Sequence, residues 1–343
     1  MNELVFPVIG SLAVVVLLLP AAAIFAKAVL WMLRHVSTAG VLHGLGTRAL
    51  VLVASSAVPL VWLISAGVHQ AETGRSALAC VFPHPGADEC AESALFALIL
   101  VTFVAITVVP MVLREWLAVR RARQRIDLRL TARLEVLIDR TPALLALKRR
   151  TIGITGSGTA IATHGLLRPV VIVDAGLAVS LDDIALTAAL CHELEHVAGR
   201  DPFRYFLVSL ALALNPFGKW LLASELGRWI VSREVHCDRA AVLAGADPAA
   251  LAHALVVAAR PGPTLSANLG PSETASLKLR VDLLLAYAER PPKLCCGKNG
   301  SRLGMVVVLA VTAAILPHHF GTHALDVLHS GAEHAVVHIT GGP

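Results

Sequence analysis

The stretch His192-Glu193-Leu194-Glu195-His196 places two histidines four residues apart, with a glutamate directly after the first. On a helix, side chains four residues apart lie on one face, so both imidazoles can bind the same metal ion. Glu193 is then placed to take a proton from water at that metal. The stretch therefore predicts a helix with a zinc site. Ser180 followed by Asp183 forms a capping-box pattern, which predicts that this helix begins near Leu181.

A second acidic pair supplies a candidate for the remaining protein ligand that a catalytic zinc site needs. Glu234 and Asp238 lie four residues apart and share a helix face. We expect Glu234 to be the third zinc ligand and Asp238 to accept the free N–H of a ligand histidine. The alternative is an ion-paired helix face, with Arg233 and Arg239 as the partners. His236 points to another side of this helix and is not expected to bind the metal.

The composition indicates a membrane protein. The chain has 343 residues, 56% hydrophobic and 15% charged, whereas soluble domains have about 45–50% apolar and 25% charged residues. This excludes a disordered chain. Three uncharged apolar runs, residues 4–26, 49–68 and 93–113, are each long enough for a spanning helix. A shorter run, residues 303–317, is expected to form a fourth span at 301–320.

The distribution of Lys and Arg predicts the orientation of these spans. Residues 114–150 hold ten Arg and one Lys against four acids, whereas residues 70–92 hold one Arg against four acids. We therefore expect a multi-pass protein of a bacterial-type cytoplasmic membrane. The N-terminus and the loop at 70–92 would lie outside, and the chain after residue 113 would begin in the cytoplasm.

Two further features follow from this orientation. Cys80 and Cys90 fall on the outward side, where a disulfide between them could form, although spacing alone leaves the pairing open. The basic segment at 114–150 contains Trp116 as its one aromatic residue. We therefore expect this segment to face the lipid bilayer and do not expect a nucleic-acid partner.

The stretch between the His192–His196 motif and the Glu234/Asp238 pair must begin and end on the same side of the membrane, because both motifs contribute to the expected zinc site. Asp201-Pro202 predicts a helix N-terminus, with Asp201 as the N-cap, and Asn215-Pro216 interrupts the apolar stretch at 203–231. The first arm is about 18 Å long, which is shorter than the roughly 30 Å hydrocarbon core. We expect a re-entrant or membrane-associated helical hairpin, with the zinc site close to the inner face of the membrane.

These features together resemble the BlaR/MecR-type membrane metallopeptidases, the zinc-protease family of the beta-lactam sensor-transducers. The resemblance covers roughly residues 90–317. It rests on the apolar spans, the basic segment, residues 165–173, the His192–His196 motif, Asn215-Pro216 and the Glu234-x-x-Cys237-Asp238 pattern.

The resemblance implies a gluzincin-type endopeptidase with one zinc ion per chain. His192, His196 and Glu234 would be the ligands, Glu193 the general base, and Asp238 the partner of a ligand histidine. It also implies an edge strand beside the cleft, able to hold an extended peptide by β-addition. That strand would consist of Val170, Val171, Ile172 and Val173.

The implied fold is mainly α, with about four transmembrane helices and a cytoplasmic α+β gluzincin-like domain. We expect three spans within residues 1–113, a basic connecting segment at 114–150, the protease domain at 151–300, the fourth span at 301–320 and an external tail at 321–343. The tail is rich in histidine, including His334 and His338 four residues apart, a spacing that could bind a metal. An incidental histidine-rich end is the alternative.

The chain departs from the antibiotic-sensing members, because only about 26 residues follow Pro317 and leave no room for a penicillin-binding domain. By resemblance, the substrate would be a protein or peptide, either a cytoplasmic repressor or the enzyme itself, cleaved in signal transduction. Two other functions stay open: an HtpX-like quality-control protease and a non-proteolytic zinc-binding signalling scaffold. A homodimer also stays open.

Overall fold

The computed structural model describes residues 5–36, 45–57, 59, 90–156, 161–259 and 271–292. This part of the chain is mainly helical with one small sheet, as expected. The helices are α1 Val5–Val36, α2 Leu45–Ala57, α3 Cys90–Gln124, α4 Leu128–Arg140, α5 Ala175–Ser180, α6 Asp183–Gly199, α7 Asp201–Leu214, α8 Pro216–Leu243, α9 Pro248–Ala258 and α10 Pro271–Glu289, with a 3-10 helix at Pro142–Leu147. The strands are β1 Thr151–Ile154, β2 Ile161–His164 and β3 Val170–Asp174.

The sheet has the order β1-β3-β2, so β3 is its central strand. β1 pairs with β3 in parallel, with Thr151 opposite Val171, and β2 pairs antiparallel, with Ile161 opposite Val173. All five residues of β3 are buried. The expectation that residues 170–173 form the edge strand is therefore wrong. A run that is apolar on both faces needs cover on both faces and a neighbour on each side. The strands at the two edges are β1 and β2 instead.

Helices cover both faces of the sheet. Ala122 of α3 packs on Val170 and Ile172 on one face, and α6 and α9 pack around Val171 and Val173 on the other. Helix α4 and the 3-10 helix contribute to this second core. Their buried side chains are Leu130, Leu134, Leu137, Ile138, Leu144 and Leu147. The domain boundary expected at residue 151 thus falls inside one packed unit.

Helices α7 and α8 form a helical hairpin that turns at Asn215 and packs against α1 and α2. A hydrophobic cluster joins the four helices, with Leu30 of α1, Leu52 of α2, Leu212 of α7 and Leu222 of α8 among its members. Helix α8 does not end at residue 231 but continues through the second acidic motif to Leu243. One helix therefore connects the hairpin turn to the candidate metal site.

Asn215 fastens the hairpin turn to the two N-terminal helices. Its side chain is fully buried, and its Oδ1 accepts hydrogen bonds from the backbone N–H groups of Phe217 and Gly218, both at 3.1 Å. Its Nδ2 donates to the carbonyl oxygens of Leu19 at 2.9 Å and Ser55 at 3.1 Å. Asn215, the N-cap of α8, thus also fixes this helix against α1 and α2.

Among the described residues, one helical segment, Val101–Gln124 of α3, is long and apolar enough to cross a membrane. Its apolar side chains include the exposed Val101, Ile106 and Val109. The number of spans stays a prediction. Half of the second run, the fourth span at 301–320, the tail at 321–343 and Cys80, the partner considered for Cys90, lie outside the described residues.

Candidate functional site

Helix α6 carries the first motif, but it begins differently from the expectation. Its N-cap is Asp182, whose side chain accepts a hydrogen bond from Ala185 N at 2.8 Å. Ser180 instead ends the preceding short helix α5, and its hydroxyl donates to the carbonyl oxygen of Gly176 at 2.9 Å. Ser180 belongs to α5 and does not cap α6, so the expected capping box is wrong.

The three expected ligands converge from α6 and α8. His192 Nε2 lies 3.1 Å from His196 Nε2. The Glu234 carboxylate places Oε2 at 3.4 Å from His192 Nε2 and Oε1 at 3.6 Å from His196 Nε2. Bonds of about 2.0–2.1 Å to a tetrahedral zinc ion would separate ligand atoms by about 3.3–3.4 Å. The spacing of these three side chains fits a zinc ion between them.

Glu193 lies beside this triad and is held by the edge strand. One of its carboxylate oxygens is within 4.8 Å of ligand nitrogens of both His192 and His196, and its side chain is buried. Thr163 Oγ1 of β2 donates a hydrogen bond to Glu193 Oε2 at 2.7 Å. This contact joins residues 30 positions apart, and no local pattern in the sequence indicated it.

Asp238 lies beside His192, and an arginine that the sequence did not indicate bridges the acidic pair. His192 Nδ1 lies 2.8 Å from Asp238 Oδ1. Arg280 of α10 donates to both oxygens of Asp238, at 2.7 and 2.8 Å, and its Nη1 lies 3.1 Å from Glu234 Oε2. Arg280 thus contacts both Glu234, the third expected ligand, and Asp238, the partner of His192.

His196 has an equivalent partner in Asp201, which was expected to cap α7. Asp201 is instead the first residue of that helix, and Arg200 occupies the position before it with φ 51°. The Asp201 carboxylate is free of capping and lies 2.8 Å from His196 Nδ1. Arg233 Nε donates to the same carboxylate at 2.6 Å. The expectation that Asp201 is an N-cap is therefore wrong.

The two cysteines near the motifs are free and buried. Cys237 Sγ lies 3.7 Å from His196 Nδ1, and burial raises the pKa of this thiol well above its ordinary value. Burial also raises the pKa of Cys191 to about 11. Both thiols are thus held in the neutral form, which is not the form that binds metal.

The charges of the site match a divalent cation. With neutral imidazoles, four carboxylates face two buried guanidinium groups, which leaves two negative charges in surplus before the exposed Arg204, 3.5 Å from Asp201, is counted. These groups are Glu193, Asp201, Glu234 and Asp238, with Arg233 and Arg280. Because a surplus of this size is costly away from water, the set favours a bound dication.

In the protein without metal, a proton on His192 offsets part of this charge. Burial lowers the pKa of His192, but Asp238 and Glu234 outweigh burial and raise it to about 10. Burial raises the pKa of Glu234, but His192, His196 and Arg280 outweigh it and hold that pKa well below its ordinary value. A metal ion would therefore displace a proton from His192.

Tyr205 connects the third ligand to the hairpin. Its hydroxyl donates to Glu234 Oε1 at 3.3 Å, and its ring packs edge-on against Trp229 with centroids 5.2 Å apart. Trp229 Nε1 in turn donates to the carbonyl oxygen of Leu45 at 3.1 Å. A short chain of contacts therefore runs from the site to α2.

No family model matches this chain, and neither the curated proteins nor the solved structures contain a match to it.

Proposed function

We propose that this chain is a zinc-dependent endopeptidase of the membrane, of the BlaR/MecR type. The observation that carries the proposal is the approach of His192 Nε2, His196 Nε2 and the Glu234 carboxylate to within 3.1–3.6 Å of one another. Glu193 beside them supports a hydrolytic site over a structural one, because a structural zinc site has no use for a general base.

The residues of the chain divide the chemistry among them. A zinc ion held by the triad would act as a Lewis acid toward a peptide carbonyl and toward water. Asp238 and Asp201 hold the Nδ1 atoms of the two histidines, which leaves their Nε2 atoms free to ligate. Glu193 accepts a proton from the attacking water and delivers it to the departing amine. Thr163 keeps the Glu193 carboxylate in position for both transfers.

The edge strand supports a peptide as the substrate. β2 is bonded to β3 on one side only within the described sheet, and Thr163 of β2 touches the proposed general base. An extended peptide that pairs with the free edge of β2 would pass its backbone carbonyls beside Glu193. This assigns to β2 the role that the sequence had assigned to residues 170–173.

A membrane location is supported by the exposed apolar face of Val101–Gln124 and by the basic segment that follows residue 113. In this proposal the active site faces the cytoplasm, and a cytoplasmic repressor or a second copy of the enzyme is the substrate. The packing of the hairpin against α1 and α2 would keep the site close to the bilayer.

The decisive experiment compares new protein N-termini in cells that express the wild type or Glu193→Gln, with the zinc content of both purified proteins as the control. We expect a few cleavages that require Glu193, one of them in a DNA-binding repressor or in the chain itself. Many scattered cleavages in membrane proteins would favour quality control. Equal N-termini with equal zinc content, under several stresses, would favour a scaffold and contradict the proposal.

A further inference from the structure

A cluster of charged side chains lies outside the zinc site, where α1, α2 and α8 meet. At its centre is Glu225, whose side chain is 6% exposed. Arg228 Nη2 donates to Glu225 Oε1 at 2.6 Å and Arg228 Nε to Oε2 at 3.3 Å. Arg34 of α1 brings its Nη2 to 3.5 Å from Glu225 Oε1. Two helices thus direct arginines at one buried carboxylate.

Arg48 of α2 joins the same cluster. The hydrogen bond from Trp229 Nε1 to the carbonyl oxygen of Leu45 holds the first turn of α2 against α8, one residue after Arg228. Arg48 lies about one turn farther along α2. Burial lowers its pKa; Glu225 raises the pKa, and the like charges of Arg34 and Arg228 lower it. Arg34 and Arg228 therefore pair with Glu225 directly, and Arg48 adds a third guanidinium group on the neighbouring turn of α2.

The cluster has more charge and more donors than Glu225 can satisfy. Three arginines against one glutamate leave two positive charges in surplus. Each guanidinium has about five N–H donors, whereas a carboxylate has about four acceptor sites. Arg34 Nε is buried without a hydrogen-bond partner among the described residues. Residues 35–48, which connect α1 to Arg48, contain no Asp or Glu that could neutralise the surplus.

The neighbouring side chains place this surplus at the level of lipid headgroups. Trp31 of α1 is 55% exposed and lies one turn before Arg34, as expected for an aromatic residue at a membrane interface. Helix α3 repeats the order, with Arg120 stacked 4.9 Å above Trp116. The exposed Met32, two residues before Arg34, and Trp220, five residues before Glu225, add apolar surface on the same two helices. Such surface would contact acyl chains rather than a free ion.

We propose that Arg34, Arg48 and Arg228 bind the phosphodiester headgroup of an anionic phospholipid in the cytoplasmic leaflet. The inference rests on the membrane location proposed above. Guanidinium groups pair with phosphate oxygens through two parallel hydrogen bonds, and such a headgroup would supply both the missing negative charge and the missing acceptors. The lipid would brace α8 at Arg228, about six residues before Glu234.

The test measures lipid retained by the full-length protein. The wild type, Arg48→Gln and Arg123→Gln are reconstituted in bilayers of phosphatidylcholine with phosphatidylglycerol, released, and analysed by native mass spectrometry. Arg48 is the informative position, because Arg228 continues to satisfy Glu225 when it is changed. Arg123 is the matched control, an exposed arginine of α3 whose replacement removes the same charge.

We expect Arg48→Gln to retain phosphatidylglycerol about tenfold less well, as for the loss of one charge-assisted contact, and Arg48→Lys to recover part of it. Arg123→Gln should equal the wild type. The proposal would be overturned if both glutamine variants lost the same amount of phosphatidylglycerol, or if neither lost any. Displacement of the lipid by inorganic phosphate would also overturn it. Zinc content and Glu193-dependent cleavage are measured separately. A failure of the peptidase proposal can therefore be told apart from a failure of the lipid proposal.

Discussion

Asp201 holds His196 from the far side of the metal-binding face, with Oδ2 at 2.8 Å from Nδ1. The arrangement repeats at the other histidine, where Asp238 Oδ1 lies 2.8 Å from His192 Nδ1. Each carboxylate is also bonded to an arginine. Each carboxylate is therefore placed to accept an N–H from Nδ1 of a neutral imidazole, which would leave Nε2 for a metal, although only one of the two carboxylates lies in the second acidic motif.

We predict that Asp201→Asn lowers the affinity for zinc by about 10- to 100-fold, the usual cost of losing such a carboxylate. The change also leaves the buried Arg233 without its charge partner, which costs on the order of 3–5 kcal/mol of stability. Zinc retention in competition with a chelator measures the first effect, and thermal unfolding of the metal-free protein measures the second.

Asp182→Asn is the matched control for this prediction, since it makes the same chemical change at the N-cap of α6, the helix that carries both histidines. Asn caps helices about as well as Asp, so the control should bind zinc like the wild type. If Asp201→Asn also retained zinc like the wild type, Asp201 would not be a partner of a metal ligand.

We predict that Thr163→Val lowers kcat about tenfold while KM changes little. Valine has nearly the shape of threonine but cannot donate the 2.7 Å hydrogen bond to Glu193. A hydrogen bond to a charged group contributes roughly 1.5–3 kcal/mol. Thr163→Ser keeps the hydroxyl and should restore kcat. Steady-state kinetics on a peptide from a mapped cleavage site measure the effect; a rise in KM alone would assign Thr163 to substrate binding.

The sequence was sufficient to predict that the candidate ligands meet, because their approach depends on helical spacing. His192, His196 and Glu234 meet because two motifs with four-residue periods lie on two helices that pack together. Thr163 and Arg280 could not be predicted in this way. Each reaches the site through tertiary packing from a strand or a helix with no chemical motif of its own.

The errors have a common cause, which is that one local pattern allows two structures. Asp201 before a proline is typical of an N-cap, but the left-handed Arg200 moves the helix start and frees the carboxylate. An apolar run such as residues 170–173 fits a central or an edge strand equally well by composition. Only the pairing with both β1 and β2 makes it central.

We predict that the metal-free protein loses stability as the pH rises from about 6.5 to 10. The pKa of His192 is raised to about 10 by Asp238 and Glu234, whereas an unfolded histidine titrates near about 6.5. The stabilisation is complete below the unfolded pKa and disappears as the pH passes the folded one. Thermal unfolding across this range measures it. His192→Gln should remove most of the slope; an unchanged slope would mean that another group titrates.

We predict that Asn215→Ala destabilises the protein by about 2–4 kcal/mol, from two buried hydrogen bonds and one helix cap. The alanine cannot donate to Leu19 and Ser55 or cap α8, so the hairpin should separate from α1 and α2. Thermal unfolding in detergent measures the loss. Asp247→Ala, at the exposed N-cap of α9, should cost only about 1 kcal/mol. Equal losses in the two variants would mean that Asn215 acts as a cap alone and that other contacts hold the hairpin on α1 and α2.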